Sequence, residues 1–233
     1  MLDRLTFSRL FAALAVVFFH FGQQIWPLNV APWSQVLRAG PDAVSYFFVL
    51  SGFIMTIVYA ELSPRGAPAY WLARFARIYP VYMLGLFLFV WVTGTWNWKA
   101  VGLNLLLLQA WVPRFALSGN SVGWSLSVEA WFYLLFPTLI GLSRRIGPAR
   151  WTALVAACWV VTQVWVSWMV EVHYTGFPSA IHDLIFYFPP GHLSTFLVGM
   201  TAAMFVRGTA WRPPAGQALA LGAAATAFVV YFL

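Results

Sequence analysis

Charge is scarce in this chain. Only 8% of its 233 residues are Asp, Glu, Lys or Arg, with six acids against 13 bases. A soluble domain carries about a quarter charged residues, so an ordinary soluble fold is excluded. Cysteine is almost missing too. Cys158 stands alone, which rules out an intrachain disulfide, and its apolar surroundings make it a small packing residue. No polar connection is long enough to hold a soluble domain, and neither an internal repeat nor a low-complexity tract is visible. The pI near 10.0 does not signify nucleic-acid binding, because the bases are scattered and form no patch interleaved with stacking aromatics. Nor is there a cleavable signal peptide. The first apolar stretch exceeds a usual h-region and no small-residue cleavage site follows it, so it reads as an anchor.

What is plentiful is apolar. Hydrophobic residues make up 62% of the chain and the mean hydropathy is +0.78. Fourteen Trp suit interfacial belts and cavity walls. The expected fold is all-α, a polytopic transmembrane bundle. Apolar stretches run over 7–25, 44–60, 78–95, 101–112, 124–142, 151–170, 191–206 and 215–233. The fourth would give only about 18 Å of helix against a hydrocarbon core of about 30 Å.

Charge decides whether that stretch crosses. Suppose the N-terminus is cytoplasmic and residues 101–112 dip in and return. Arg4, Arg9, Arg65, Arg74, Arg77, Arg144, Arg145, Arg150, Arg207 and Arg212 then lie inside, and only Arg38, Lys99 and Arg114 outside. Crossing would divide the bases almost evenly. The positive-inside rule therefore favours seven spans plus one short re-entrant or interfacial segment.

Arg9 and His20 lie within the first apolar stretch. An ionisable side chain there costs several kcal/mol, so it is a functional candidate by default. Eleven residues at about 100° each make three turns plus about 20°, so the two share a face, about 16 Å apart. A guanidinium can hold a phosphate or carboxylate, and an imidazole can exchange a proton near neutral pH. An Arg snorkelling to the headgroups and a packed His would leave the same pattern.

Three further stretches stand out. WSLSVEAWFYLLFP (124–137) carries Glu129, the one acid within the expected spans, with Ser125 on the same helix face and Ser127 within a turn. A buried carboxylate needs a partner, and His20, at comparable depth, is the natural one; stabilisation by a helix N-terminus is the alternative. RFARIYP (74–80) sets Arg74 and Arg77 three apart at the expected inner entrance of the third span, a possible phosphate clamp that the positive-inside rule would also supply. YFFVLSGFIM (46–55) places Ser51-Gly52 in mid-span, where a small pair permits close helix approach.

Together these stretches resemble the membrane-bound acyltransferases of acyltransferase family 3, which acylate sugars and other hydroxyl acceptors. The matching features are the Arg9-to-His20 spacing, FFVLSGF at 47–53, the Arg74/Arg77 pair, and WSLSVE with FYLLFP at 124–137. Their order and spacing match, and the resemblance covers 1–233 as a single membrane domain. Two positions depart from it. Ser45 stands where many members have an acid, with Asp42 nearby, and Ala130 follows Glu129 where many have a second acid.

The resemblance implies an acyl-CoA, most simply acetyl-CoA, as a co-substrate from the cytoplasm, with no permanently bound cofactor. Its phosphates would meet Arg74 and Arg77, and Arg9 the acyl-pantetheine end or another anionic group. His20 would serve as general base or carry the acyl group briefly, Glu129 would orient the imidazole, and Ser125 and Ser127 would line the acceptor side. The acceptor would be a carbohydrate or similar hydroxyl compound, and the setting the cell's inner (plasma) membrane. No metal is implied, since His173, His182 and Asp183 share one outer loop without a ligand pattern. Members of the family have about ten spans, so a chain with eight apolar stretches is expected to be truncated at its C-terminus. Ionisable pairs in spans also serve transporters and flippases, and truncation could leave an inactive membrane protein. Those remain the rival readings.

Overall fold

The computed structural model describes residues 2–38, 40–94 and 96–208, so the expected span at 215–233 and Arg212 lie outside the described residues. Every regular element among the described residues is helical: α1 (Leu2–Phe21), α2 (Trp33–Arg38), α3 (Gly40–Val58), α4 (Ala67–Thr93), α5 (Trp98–Leu105), α6 (Trp124–Ile146), α7 (Pro148–His173), α8 (Ala180–Phe186) and α9 (Leu193–Gly208). The fold is the expected all-α bundle. The helices of four expected spans, α3, α4, α6 and α7, are long and apolar enough to cross a membrane, and the apolar part of α1, Phe7–Phe21, is shorter.

The pattern of burial suits lipid. Within the apolar windows of α4 and α7 only 11% of residues are buried, against 33% for α3 and α6. Leu72, Val81, Phe87 and Val92 of α4 and Val161 and Val164 of α7 are exposed. In water such a belt would be a large uncovered patch; in hydrocarbon it is already in its solvent. The chain is a multi-pass membrane protein. Its core lies around α6, where Val128, Phe132, Phe136 and Ile140 recur every fourth residue and are almost fully buried. Phe132 stacks on Phe196 at 4.6 Å, and the indole of Trp151 donates to the Thr201 hydroxyl at 3.0 Å.

Close approach of α3 and α9 rests on two glycines. A Cβ added to Gly52 would lie 2.1 Å from the Phe196 carbonyl oxygen, and one on Gly199 would lie 1.9 Å from that of Val49. The backbones touch there, as the small residue pair in mid-span suggested. The C-terminal ends of the two helices also meet, with Arg207 3.4 Å from the Glu61 carboxylate, so they run parallel.

The segment at 101–112 does not cross. Helices α4 and α6 are antiparallel: Arg144 donates to the Leu62 carbonyl, and the Trp71 indole to that of Tyr133. Between them α5 has eight residues, about 12 Å. Its end reaches the middle of α4, where the Tyr79 hydroxyl donates to the Leu105 carbonyl. Buried polar groups secure the returning chain. Tyr82 donates to Asn104 and accepts from Gln109, which also donates to the Gly123 carbonyl. Arg65, Arg144, Arg145, Arg150 and Arg207 consequently gather at one end, near Glu61, and Lys99 and Arg114 at the other.

Candidate functional site

Two neighbouring chambers lie between α1, α3 and the first turns of α6. One face of α1 lines both, with Arg9, Ala13 and Val16 on the first and Val16, Phe19 and His20 on the second. The shared face expected for Arg9 and His20 is therefore present. Val16, Val44, Val122 and Ser125 border both chambers.

The first chamber, of about 390 Å³, collects Arg9, Arg74, Arg77, Ser51, Ser125, Glu129 and Tyr133. Three guanidiniums thus face one carboxylate. Arg74 is the most constrained of them. It donates to the Tyr59 hydroxyl at 2.7 Å, and its guanidinium carbon lies 5.1, 6.0 and 5.9 Å from the ring centroids of Tyr59, Tyr70 and Tyr133. This is an aromatic cage that holds a cation by its ring faces. The Arg74 Nε is nevertheless buried without a partner. Arg9 and Arg77 make no hydrogen bond or ion pair among the described residues. A net positive site with an unsatisfied buried donor is built for an anionic or acceptor-rich ligand.

The depth of Arg74 and Arg77 corrects the sequence reading, which set them at the entrance of a span starting at 78. Helix α4 begins at Ala67, with Pro in its first turn, so the two arginines are its eighth and eleventh residues. They lie two to three turns inside the helix, level with Glu129. Hydropathy counting ended the span at the arginines because it cannot tell a chamber-facing charge from a lipid-facing one.

Glu129 does not pair with His20. Its carboxylate accepts from the Tyr133 hydroxyl, one turn further along α6, and from Ser51 of α3 at 3.3 Å. Spacing of i, i+4 put Tyr133 on the same face, which was a readable signal. Tyr59 and Tyr70 had none, because they come from a helix end and a loop-proximal turn that only the fold brings together. Ser127 is a further correction. It is fully buried and its hydroxyl donates to the Leu107 carbonyl, bracing the return of the re-entrant segment. Two residues on from Ser125, it points across the helix, away from both chambers.

The second chamber, of about 620 Å³, holds His20 beside Asp42, Ser45, Trp124, His182, Tyr187 and His192. His20 touches the rings of Phe19 and Phe21 and has no hydrogen-bond partner among the described residues. The His182 ring lies between two phenols, Nδ1 3.1 Å from the Tyr174 hydroxyl and Nε2 3.3 Å from that of Tyr187. Burial lowers its pKa below the usual imidazole value. His192 sits between Phe48 and Trp124, with ring centroids 5.1 and 5.4 Å apart.

The chain is similar to acyltransferase MdmB of Streptomyces mycarofaciens, with 32% identity over 96% of this chain and 62% of that protein. A candidate acetyltransferase, ORF330 of Acidianus two-tailed virus, shares 28% over 85% of this chain and 56% of its own. Nodulation protein 10 of Rhizobium leguminosarum bv. viciae shares 29% over 66% and 49%. The chain thus spans about half to three-fifths of the length of these curated relatives. No solved structure matches it significantly. The acyltransferase domain model of family 3 matches residues 2–233, and the chain belongs to that family.

Proposed function

We propose that this protein transfers an acyl group, acetyl in the simplest case, from acyl-CoA to a hydroxyl of a carbohydrate or similar acceptor. The observation that carries this reading is the pair of adjoining chambers, one cationic and one holding an unpartnered imidazole, with Ser125 on the border of both. Arg9, Arg74 and Arg77 bind the anionic donor. Glu129 balances part of their charge and, with Tyr133 and Ser51, fixes the wall they share. The thioester then reaches the border between the chambers, within range of an acceptor beside His20.

The reaction balances with groups of this chain. One imidazole nitrogen of His20 takes the proton from the acceptor hydroxyl, and the oxygen forms a bond to the thioester carbonyl carbon. The carbon–sulfur bond breaks, and the departing CoA thiolate takes the proton back from the imidazolium. Ester and free CoA leave in opposite directions. The arginine-rich end is taken as cytoplasmic, with the N-terminus inside, in the cell's inner (plasma) membrane. Relatives named acyltransferase and acetyltransferase support the reaction class.

Calorimetric titration of the purified chain with CoA tests the donor assignment. A charge-assisted contact contributes about 1.5–3 kcal/mol, so Arg74→Ala with Arg77→Ala should weaken CoA well over tenfold. Equal binding by the double variant would reduce both arginines to topology residues and overturn the assignment.

A further inference from the structure

A third groove, of about 550 Å³, lies between the last turns of α4, helix α5 and the chain that leads to α6. Leu86, Phe89, Val90 and Val101 make much of its lining apolar, and Arg114 and Phe115 complete it. Buried polar ties fix the walls: the Asn104 amide donates to the Ser118 hydroxyl at 3.0 Å and accepts from that of Tyr82 at 2.8 Å. Trp91, Trp96 and Trp98 adjoin the lining residues in the chain and are exposed, as tryptophans are at headgroup level. The groove therefore sits where hydrocarbon gives way to headgroups.

Two cations stand at this groove. Arg114 lines it directly, and the Lys99 ammonium lies 4.8 Å from the centre of the Phe115 ring. The positive-inside rule makes bases scarce at the end of the bundle away from the five arginines, so a pair beside one groove is a departure from it. Arg114 is also held there under strain. Its φ is 70°, in the left-handed region that residues with a Cβ resist. The buried Asp183 of α8 accepts its backbone N–H at 2.6 Å and fixes that conformation. Backbone strain of this kind clusters at functional positions. Asp183 binds the backbone of Arg114 and makes no ion pair with its guanidinium, which has no hydrogen-bond partner among the described residues.

We propose that this groove binds one phospholipid from the leaflet away from the arginine-rich end. Arg114 and Lys99 hold its phosphate, the first through a planar fork that matches two phosphate oxygens. One acyl chain lies along Leu86, Phe89, Val90 and Val101. Recognition needs both parts: a neutral lipid has the chains without the charge, and a soluble phosphate has the charge without the chains. Among the described residues the groove shares Leu117 alone with the second chamber and nothing with the first. The site thus stands whatever reaction the chambers support.

Native mass spectrometry of the delipidated chain in detergent tests it, because each bound lipid adds its own mass. The probes are dioleoylphosphatidylglycerol, dioleoylglycerol, which lacks the phosphate, and glycerophosphate, which lacks the chains. The wild type should take up the phospholipid in a single tight step and the other two about tenfold or more weaker. Lys99→Gln with Arg114→Gln should weaken that step well over tenfold. Val101→Trp, which fills the apolar lining and keeps both cations, should weaken it about tenfold. Unfolding midpoints close to that of the wild type report that the variants fold, and the comparison of probes on the wild type needs no variant. Dioleoylglycerol bound as tightly as the phospholipid would overturn the inference. Glycerophosphate bound as tightly would do so too, and would make the site one for a free phosphate. Phospholipid uptake unchanged in either variant would equally overturn it, since that uptake would be non-specific.

Discussion

Arg74 has a choice of partners that a lysine could not replace. Its guanidinium lies against three tyrosine rings, spends one N–H on Tyr59, and keeps Nε unpaired inside the protein. A lysine would keep the charge but lose the planar fork and the ring stacking. Arg77 is exposed and makes no such contacts. Arg74→Lys should therefore weaken CoA binding roughly tenfold or more, and Arg77→Lys only a few-fold. Titration of the two single variants reads this directly, and equal small losses would show that charge alone recognises the donor. At this scale the sequence was partly legible. Arg9 and Glu129 stood out because charge in an apolar span is costly, Ser125 because it shares the face of Glu129, and Arg74 and Arg77 by their spacing at a helix end, and all five line one chamber. The partner of Glu129 was misread because His20 and Glu129 were compared by depth alone, while the bond went to the residue one turn away. His182 and His192 drew no notice as chamber residues, since only the packing of the chain after α7 brings His192 over Trp124 and His182 beside Tyr187.

Among the elements, the α3–α9 contact and the re-entrant segment keep the chambers in register. Gly52 adjoins Ser51, which holds Glu129, so a shift between α3 and α9 reaches the chamber directly. A side chain at Gly52 would collide with backbone, which cannot rotate away. Overpacking of this kind costs about 1–3 kcal/mol. Gly52→Val should lower the thermal unfolding midpoint in detergent by several degrees, with Val58→Ala on the exposed end of the same helix as a control that changes little. An unchanged midpoint in Gly52→Val would mean that the helices part easily and that their close approach is dispensable. The glycine was visible in the sequence as half of a small pair, but its partner Gly199, almost 150 residues on, was not. The re-entrant segment was legible from charge counting and length. The true start of α4 was not, because a run of apolar residues ends at a charge whether or not the helix does.

For the whole molecule, the bundle divides its charge and its chemistry along one axis. Among the described residues five arginines gather at one end, the cationic chamber lies between the helices, and the aromatic chamber that holds Asp42 adjoins it toward the other end. A donor and an acceptor arriving from opposite sides would meet at the border where Ser125 stands, with His20 beyond it in the second chamber. Consumption of a thioester separates a transferase from a transporter, which would move a substrate without it. The most direct measurement is the rate of free thiol release from acetyl-CoA by the purified chain in nanodiscs, with and without methyl glucoside, for wild type and His20→Ala. Release should require the glucoside and fall to background in His20→Ala while CoA still binds. Release that ignores the acceptor, or that survives loss of the imidazole, would contradict transfer through His20.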